Sequence, residues 1–148
     1  MLRDVTASFA WSTMTAIWGP SGSGKSTLLS LLGPLSDGAT WQEATETAVA
    51  ALSVVGLERL AESRASELSG GELQRMTVAR ALAQAHPVVL ADEPTGQLDH
   101  TSSLVVARAL RQLAEAGRAV VVATHDAAVA DACDVVWTIE DGRLSAGR

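Results

Sequence analysis

The sequence predicts an α/β fold, a mostly parallel sheet with helices on both faces. Two observations predict it. Short apolar runs without polar alternation recur along the 148 residues, as expected of strands buried on both sides. Segments with helical spacing lie between them, and strand–helix alternation is the signature of a parallel sheet. Each run also ends abruptly in glycines or polar side chains, at the strand ends where open α/β sheets hold their ligands.

In chain order, Met14–Trp18 reads as a buried strand that stops at Gly19. A glycine-rich turn leads into a helix over Ser26–Leu32, and Gly33-Pro34 and Asp37-Gly38 mark a loop. Thr40-x-x-Glu43 fits a capping box. Behind it, Ala44, Ala48, Ala51, Leu52 and Val55 keep helical spacing up to a stop at Gly56. Glu72–Gln84 is a second amphipathic helix, Val88–Ala91 a second strand, and Thr101–Ala116 a helix stopped by Gly117. Ala119–Ala123 is a β-branched strand, Asp126–Ala132 a short helix and Val135–Ile139 a fourth strand. Asp141-Gly142 is a hairpin turn leading to Leu144.

Apolar residues make up 47% of the chain and charged residues 19%, which excludes a disordered chain. The net charge of −6 argues against a general nucleic-acid binder, and no nucleic-acid partner is expected. One cysteine, Cys133, excludes an internal disulfide framework, and it reads as a small buried apolar residue. No apolar run approaches the ~20 residues that span a bilayer. The start Met1-Leu-Arg-Asp4 has no leader pattern, so a cytoplasmic setting is expected.

Three motifs carry chemistry. Gly19-Pro-Ser21-Gly22-Ser23-Gly24-Lys25-Ser26-Thr27 matches G-x-x-x-x-G-K-[ST] in full. Its N–H groups and helix start suit an anion, Lys25 would meet the β- and γ-phosphates, and the Ser26 hydroxyl would take Mg²⁺. The plain alternative is a flexible turn. In Val88-Val-Leu-Ala-Asp92-Glu93 an apolar strand ends in two carboxylates. Asp92 is placed to hold Mg²⁺ and Glu93 to orient or deprotonate a water, or the pair is a solvated strand end. Leu68-Ser69-Gly70-Gly71-Glu72 opens a helix either as a second anion-binding surface or as an ordinary N-cap, with Ser69 capping and glycines for the turn.

These motifs, with Ala91-Asp-Glu-Pro-Thr-Gly-Gln-Leu-Asp99 and Thr124-His125-Asp126 in the same order, resemble the ATP-binding subunit of ATP-binding cassette (ABC) transporters. The pattern is most similar to the lipoprotein-release, macrolide-export and cell-division cassettes, with Gln97 where that subgroup usually has Asn. The resemblance implies a P-loop NTPase-type fold and an ATPase that drives export through a membrane permease, on the inner face of the cell membrane. It implies phosphate contacts from Gly22–Thr27, Mg²⁺ as cofactor at Ser26 and Asp92, Glu93 as general base and His125 on the γ-phosphate. It also implies a head-to-tail homodimer or paired cassette. Ser69 and Gly71 would face the partner's ATP, with Asp99 at the seam. His86 and His100 read as surface residues, Trp18 as core, and Gln74, Arg75 and Arg80 as packing or surface residues.

The sequence departs from the family between the phosphate loop and Leu68–Glu72, the segment that resembles the family's signature. Lys25 and Ser69 stand only 44 positions apart, roughly half the family's usual interval. The expectation is one shortened domain over residues 1–148, with a remnant of the helical subdomain at about 40–85 and no glutamine loop. Gln42, the only glutamine in that interval, reads as a surface residue. The family's first strand and adenine-stacking aromatic are also absent, and Phe9 and Trp11 precede the phosphate loop without the look of a replacement. A cassette that binds nucleotide without hydrolysing it, or a non-functional fragment, is therefore the alternative reading.

Overall fold

The computed structural model describes residues 6–23, 25–31, 41–61, 63, 65–84 and 86–147. Gly24, the loop at 33–38 and Thr40 of the proposed capping box lie outside what it describes, as do the side chains of Thr27 and of residues 41–47, among them Gln42 and Glu43. The elements are β1 (Thr13–Trp18), α1 (Lys25–Leu31), α2 (Trp41–Val54), α3 (Gly70–Ala83), β2 (Val88–Asp92), α4 (His100–Glu115), β3 (Ala119–Thr124), α5 (Ala127–Asp131), β4 (Val135–Glu140) and β5 (Arg143–Ala146). Single 3₁₀ turns at Glu58–Leu60 and Ala65–Glu67 connect α2 to α3.

The five strands form one sheet in the order β2-β3-β1-β4-β5. The first three pairings are parallel and the last is antiparallel. The antiparallel pair follows from the Asp141-Gly142 turn, where both residues have positive φ (48° and 76°) as a tight hairpin requires. β3 shows why the strands lack alternation. Val120 and Val122 pack on one face with Val106, Leu110 and Val129, while Val121 and Ala123 pack on the other with Ile17, Leu28 and Ile139. Both faces are covered, so every residue of the strand is buried.

The helix ends follow local chemistry. α2 and α4 each stop in a paired turn. Leu57 N–H reaches Leu52 O (2.8 Å) with Gly56 N–H on Ser53 O, and Arg118 N–H reaches Leu113 O (3.2 Å) with Gly117 N–H on Ala114 O. The turn residues Gly56 and Gly117 have φ of 69° and 97°, where a side chain would be strained. α3 begins at Gly70, two residues earlier than its apolar periodicity predicts, because its cap lies at Ser69. Trp18, expected in the core, is half-buried against Ala16, Ala130 and Val136. Cys133 is also half-buried, with its thiol donating to Val129 O at 3.3 Å. Trp11 is 62% exposed in a turn, and Phe9 packs beside Leu144. Among the described residues no helix is long and apolar enough to cross a membrane.

β1 places its C-terminal end, and so the glycine-rich loop, between the ends of β3 and β4. An Asp134 carboxylate anchors the other end. It accepts Met14 N–H at 2.8 Å and pairs with Arg111 Nη1 at 2.6 Å, tying α4 beneath the sheet. The Arg111 hydrogen bond, assisted by the Met14 N–H, holds the Asp134 pKa below its ordinary value. A pKa depressed by folding stabilises the native state above the ordinary carboxylate value, and that stabilisation is lost as pH falls through the depressed one. Solvent screens these part-exposed groups, so Asp134→Asn is expected to cost about 1 kcal/mol at neutral pH. Melting curves of the two proteins should converge as pH drops below about 4. A gap that persists unchanged to pH 3 would show that the charge is not its source.

Candidate functional site

The carboxyl ends of β1, β2 and β3 bring three of the expected residues together. Lys25, at the start of α1, is 5% exposed, and its Nζ donates to Gly19 O (2.9 Å) and Pro20 O (3.1 Å). The same ammonium pairs with Glu93 Oε1 at 3.2 Å. The other oxygen of Glu93 meets His125 Nδ1 at 2.8 Å. A buried ammonium needs partners of opposite charge or polarity, and here two loop carbonyls and one carboxylate supply them. His125 is 62% exposed, so its ring stands at the mouth of the site.

The loop is tightly built. A Cβ on Gly19 would lie 2.4 Å from Ile139 O and 2.9 Å from Ser23 Oγ. Ser23 Oγ is buried and has no hydrogen-bond partner among the described residues, which leaves a donor inside the loop for a ligand oxygen. Ser21, Gly22 and Ser26 are more open, and all three are exposed. A cavity of about 710 Å³ separates residues Pro20–Ser23 from the hairpin turn Glu140–Gly142.

Asp92 ends β2 with its side chain exposed, and Glu93 follows with φ 46°, the left-handed region. A non-glycine residue held there costs of order 1–3 kcal/mol and persists only where its surroundings fix it. The surroundings are specific. Glu93 N–H donates to Ala123 O (2.9 Å), and Glu93 O accepts Gly96 N–H (3.1 Å) and Gln74 Nε2 (2.8 Å). Buried Thr95 donates its hydroxyl to Asp126 Oδ2 (2.9 Å), and Asp126 N–H bonds Thr124 Oγ1 (3.0 Å). The turn after β2 is thereby stapled to the segment that carries His125.

The Leu68–Glu72 segment opens α3, the helix packed on α2 and α4. Ser69 caps α3 in a capping box, with its N–H and Oγ both on Glu72 Oε2 (2.9 and 2.7 Å). Those bonds, the Ser69 hydroxyl first, lower the Glu72 pKa. The glycines do not make the turn. They lie inside the helix, where a Cβ on Gly70 would meet Gln97 Oε1 at 2.7 Å and one on Gly71 would meet Leu98 Cδ2 at 3.3 Å. Asp99 caps α4 through Ser102 N–H (2.8 Å), which depresses its pKa.

Sequence reasoning missed Thr95 and took Gln74 and Arg75 for packing or surface residues. Gln74 instead holds the Glu93 carbonyl, and Arg75 Nη1 reaches Ser102 Oγ at 3.0 Å. Gln74 had one signal, its place one turn after Gly70 on the same helix face. His86 is half-buried and His100 is exposed at the start of α4.

A mostly parallel α/β sheet with a phosphate-loop motif at its central strand defines the class. The family described as ABC transporter matches residues 35–96, a span that includes Ser69–Glu72 and Asp92-Glu93. The macrolide export ATP-binding/permease protein MacB of Acinetobacter baylyi is 45% identical over 75% of this chain and 17% of its own length. MacB of Hahella chejuensis is 32% identical over the whole chain and 31% of its own length. The chain thus spans under a third of these relatives. The second alignment runs over 203 positions, 55 more than the chain's 148 residues, so the relative carries internal residues that this chain lacks. The dimeric structure of MJ0796, a bacterial ABC transporter cassette, superposes with a TM-score of 0.85 at 27% identity, over 99% of this chain and 90% of that one. The same cassette has also been solved as a post-hydrolysis dimer bound to ADP and Pi. The chain belongs to the ATP-binding cassettes of the ABC transporter family.

Gly19→Ala tests the loop's packing. The Cβ has backbone, not a flexible side-chain end, in its path, so β1 must part from β4. A loss of about 2 kcal/mol or more in thermal stability is expected. An unchanged melting temperature would mean that the loop is free to shift.

Proposed function

We propose that the chain is the nucleotide-binding subunit of an ABC exporter, binding and hydrolysing Mg²⁺-ATP to drive a membrane permease from the cytoplasmic face. One observation carries this reading: Lys25, Glu93 and His125, from three separate strand ends, form one connected group beside a phosphate-loop motif. In this reading Gly19–Thr27 cradle the phosphates, and Lys25 leaves its carbonyl partners for the β- and γ-oxygens. Glu93 accepts a proton from the attacking water while His125 holds that water against the γ-phosphate. Ser26 and Asp92 offer a hydroxyl and a carboxylate, both exposed, and hard oxygen donors of this kind suit Mg²⁺ completed by phosphates and water. The ion would neutralise charge on the transferring phosphoryl group.

Pairing follows from donor count. One chain surrounds the phosphates from one side only. A head-to-tail second copy, or a paired cassette, would bring the Ser69–Glu72 helix end to the γ-phosphate, with Asp99 along the seam. The MJ0796 cassette, itself solved as a dimer, supports that arrangement. The domain is then a single shortened cassette over residues 1–148, in which 40–85 stand for the helical subdomain. The transport direction rests on the macrolide-export names of the MacB relatives.

The internal shortening favours one competing reading, a cassette that binds nucleotide without turning it over. Melting and turnover separate the two. ATP at a hundred times its Kd should stabilise the fold by ~2.7 kcal/mol, several degrees for this size. That rise should vanish in Lys25→Ala. Turnover with Mg²⁺ should be abolished in Glu93→Gln while the ATP-dependent rise remains. A rise without wild-type turnover selects the binding-only cassette, and no rise rejects both.

A further inference from the structure

We infer that Gln74 is a positioning residue for hydrolysis, fixing the backbone of Glu93 so that its carboxylate stays aimed at Lys25 and His125. The inference rests on the reading of Glu93 as the base. Three features of the site converge on it. Glu93 is the first residue beyond an outer strand and adopts φ 46°, a conformation that its own type disfavours. Its N–H donates to Ala123 O, while its carbonyl accepts Gly96 N–H from within the turn and, from outside it, Gln74 Nε2 at 2.8 Å. Gln74 is therefore the side chain, 19 residues away in sequence, that supports this carbonyl from a separate element.

α3 is built to deliver that amide. Gly70 and Gly71, one turn earlier, let the helix pack closely on the Gln97 and Leu98 side chains, beside the turn that Gln74 reaches. Arg75, the next residue, bonds Ser102 in the first turn of α4. The start of α3 is thus latched to both ends of the Glu93–Asp99 connection. Released from Gln74, the Glu93 peptide would turn toward an ordinary conformation, and its carboxylate would swing off the Lys25–His125 axis.

Two variants and two readouts test this. Gln74→Ala removes the amide. Gln74→Glu keeps its size but replaces the donor by an acceptor facing a carbonyl. In each, kcat should fall about tenfold or more while KM for ATP stays within twofold, because the phosphate contacts are untouched. Independently of turnover, hydrogen exchange at the Glu93 and Gly96 amides should accelerate tenfold or more, with the amides of Thr77–Ala83 unchanged. Unchanged exchange at Glu93 and Gly96 overturns the inference whatever the rates show. So does a kcat within twofold of wild type in both variants, or exchange that accelerates along all of α3. A wild-type chain with no turnover defeats the reading of Glu93 as base, and the exchange arm still decides whether Gln74 holds its backbone.

Discussion

The site is organised by a single buried cation. Lys25 carries a full charge at a position almost closed to water, and such a charge is tolerated only when surrounded by acceptors. The acceptors come from the end of β1 and from the residue after β2, two strands separated in the sheet by β3. The ammonium thus spans the sheet's carboxyl edge and draws the glycine-rich loop and Glu93 toward one point. His125, on the end of the intervening β3, closes the group through the second Glu93 oxygen. The arrangement is also self-limiting. Lys25 has three N–H donors for the two loop carbonyls and Glu93, so an anion bound at the loop would have to displace at least one of these partners.

Much of this was legible because it is local or periodic. β1 and β3 announce themselves as unbroken apolar runs, buried on both faces, and α2 and α4 end at Gly56 and Gly117, which their paired turns require. The order of the motifs was equally plain, since a glycine-rich loop after one strand and paired carboxylates after another need no three-dimensional knowledge to notice. What stayed hidden depends on pairs distant in sequence. Gln74 with Glu93, Thr95 with Asp126 and Arg111 with Asp134 each join two elements that no spacing rule connects. Gly70 and Gly71 mislead for a related reason. Beside a cap, glycine suggests a turn, yet these two lie inside α3 against the Gln97 and Leu98 side chains, a tertiary contact with no local trace.

The outer position of β2 explains where the supporting contacts concentrate. Among the described residues β2 pairs with β3 alone, and its open side borders a groove of about 290 Å³ lined by α3 side chains including Leu73, Gln74 and Thr77. A strand held from one side is poorly constrained at its end, and an outer apolar strand is also the natural place for stray pairing. Yet this strand ends in Asp92 and Glu93, and under the function proposed above these must be held accurately, because phosphoryl transfer works by positioning. The restraint that a second neighbouring strand would supply comes instead from side chains: Gln74 on the Glu93 carbonyl, Thr95 on Asp126, and the cap of α4 braced by Arg75 through Ser102. The residues that the MacB relatives have and this chain lacks make that substitution consequential. A domain with less scaffold depends more heavily on each hydrogen bond that fixes its strained residue, so sensitivity to substitution extends from the glycine-rich loop to α3 and the turn after β2.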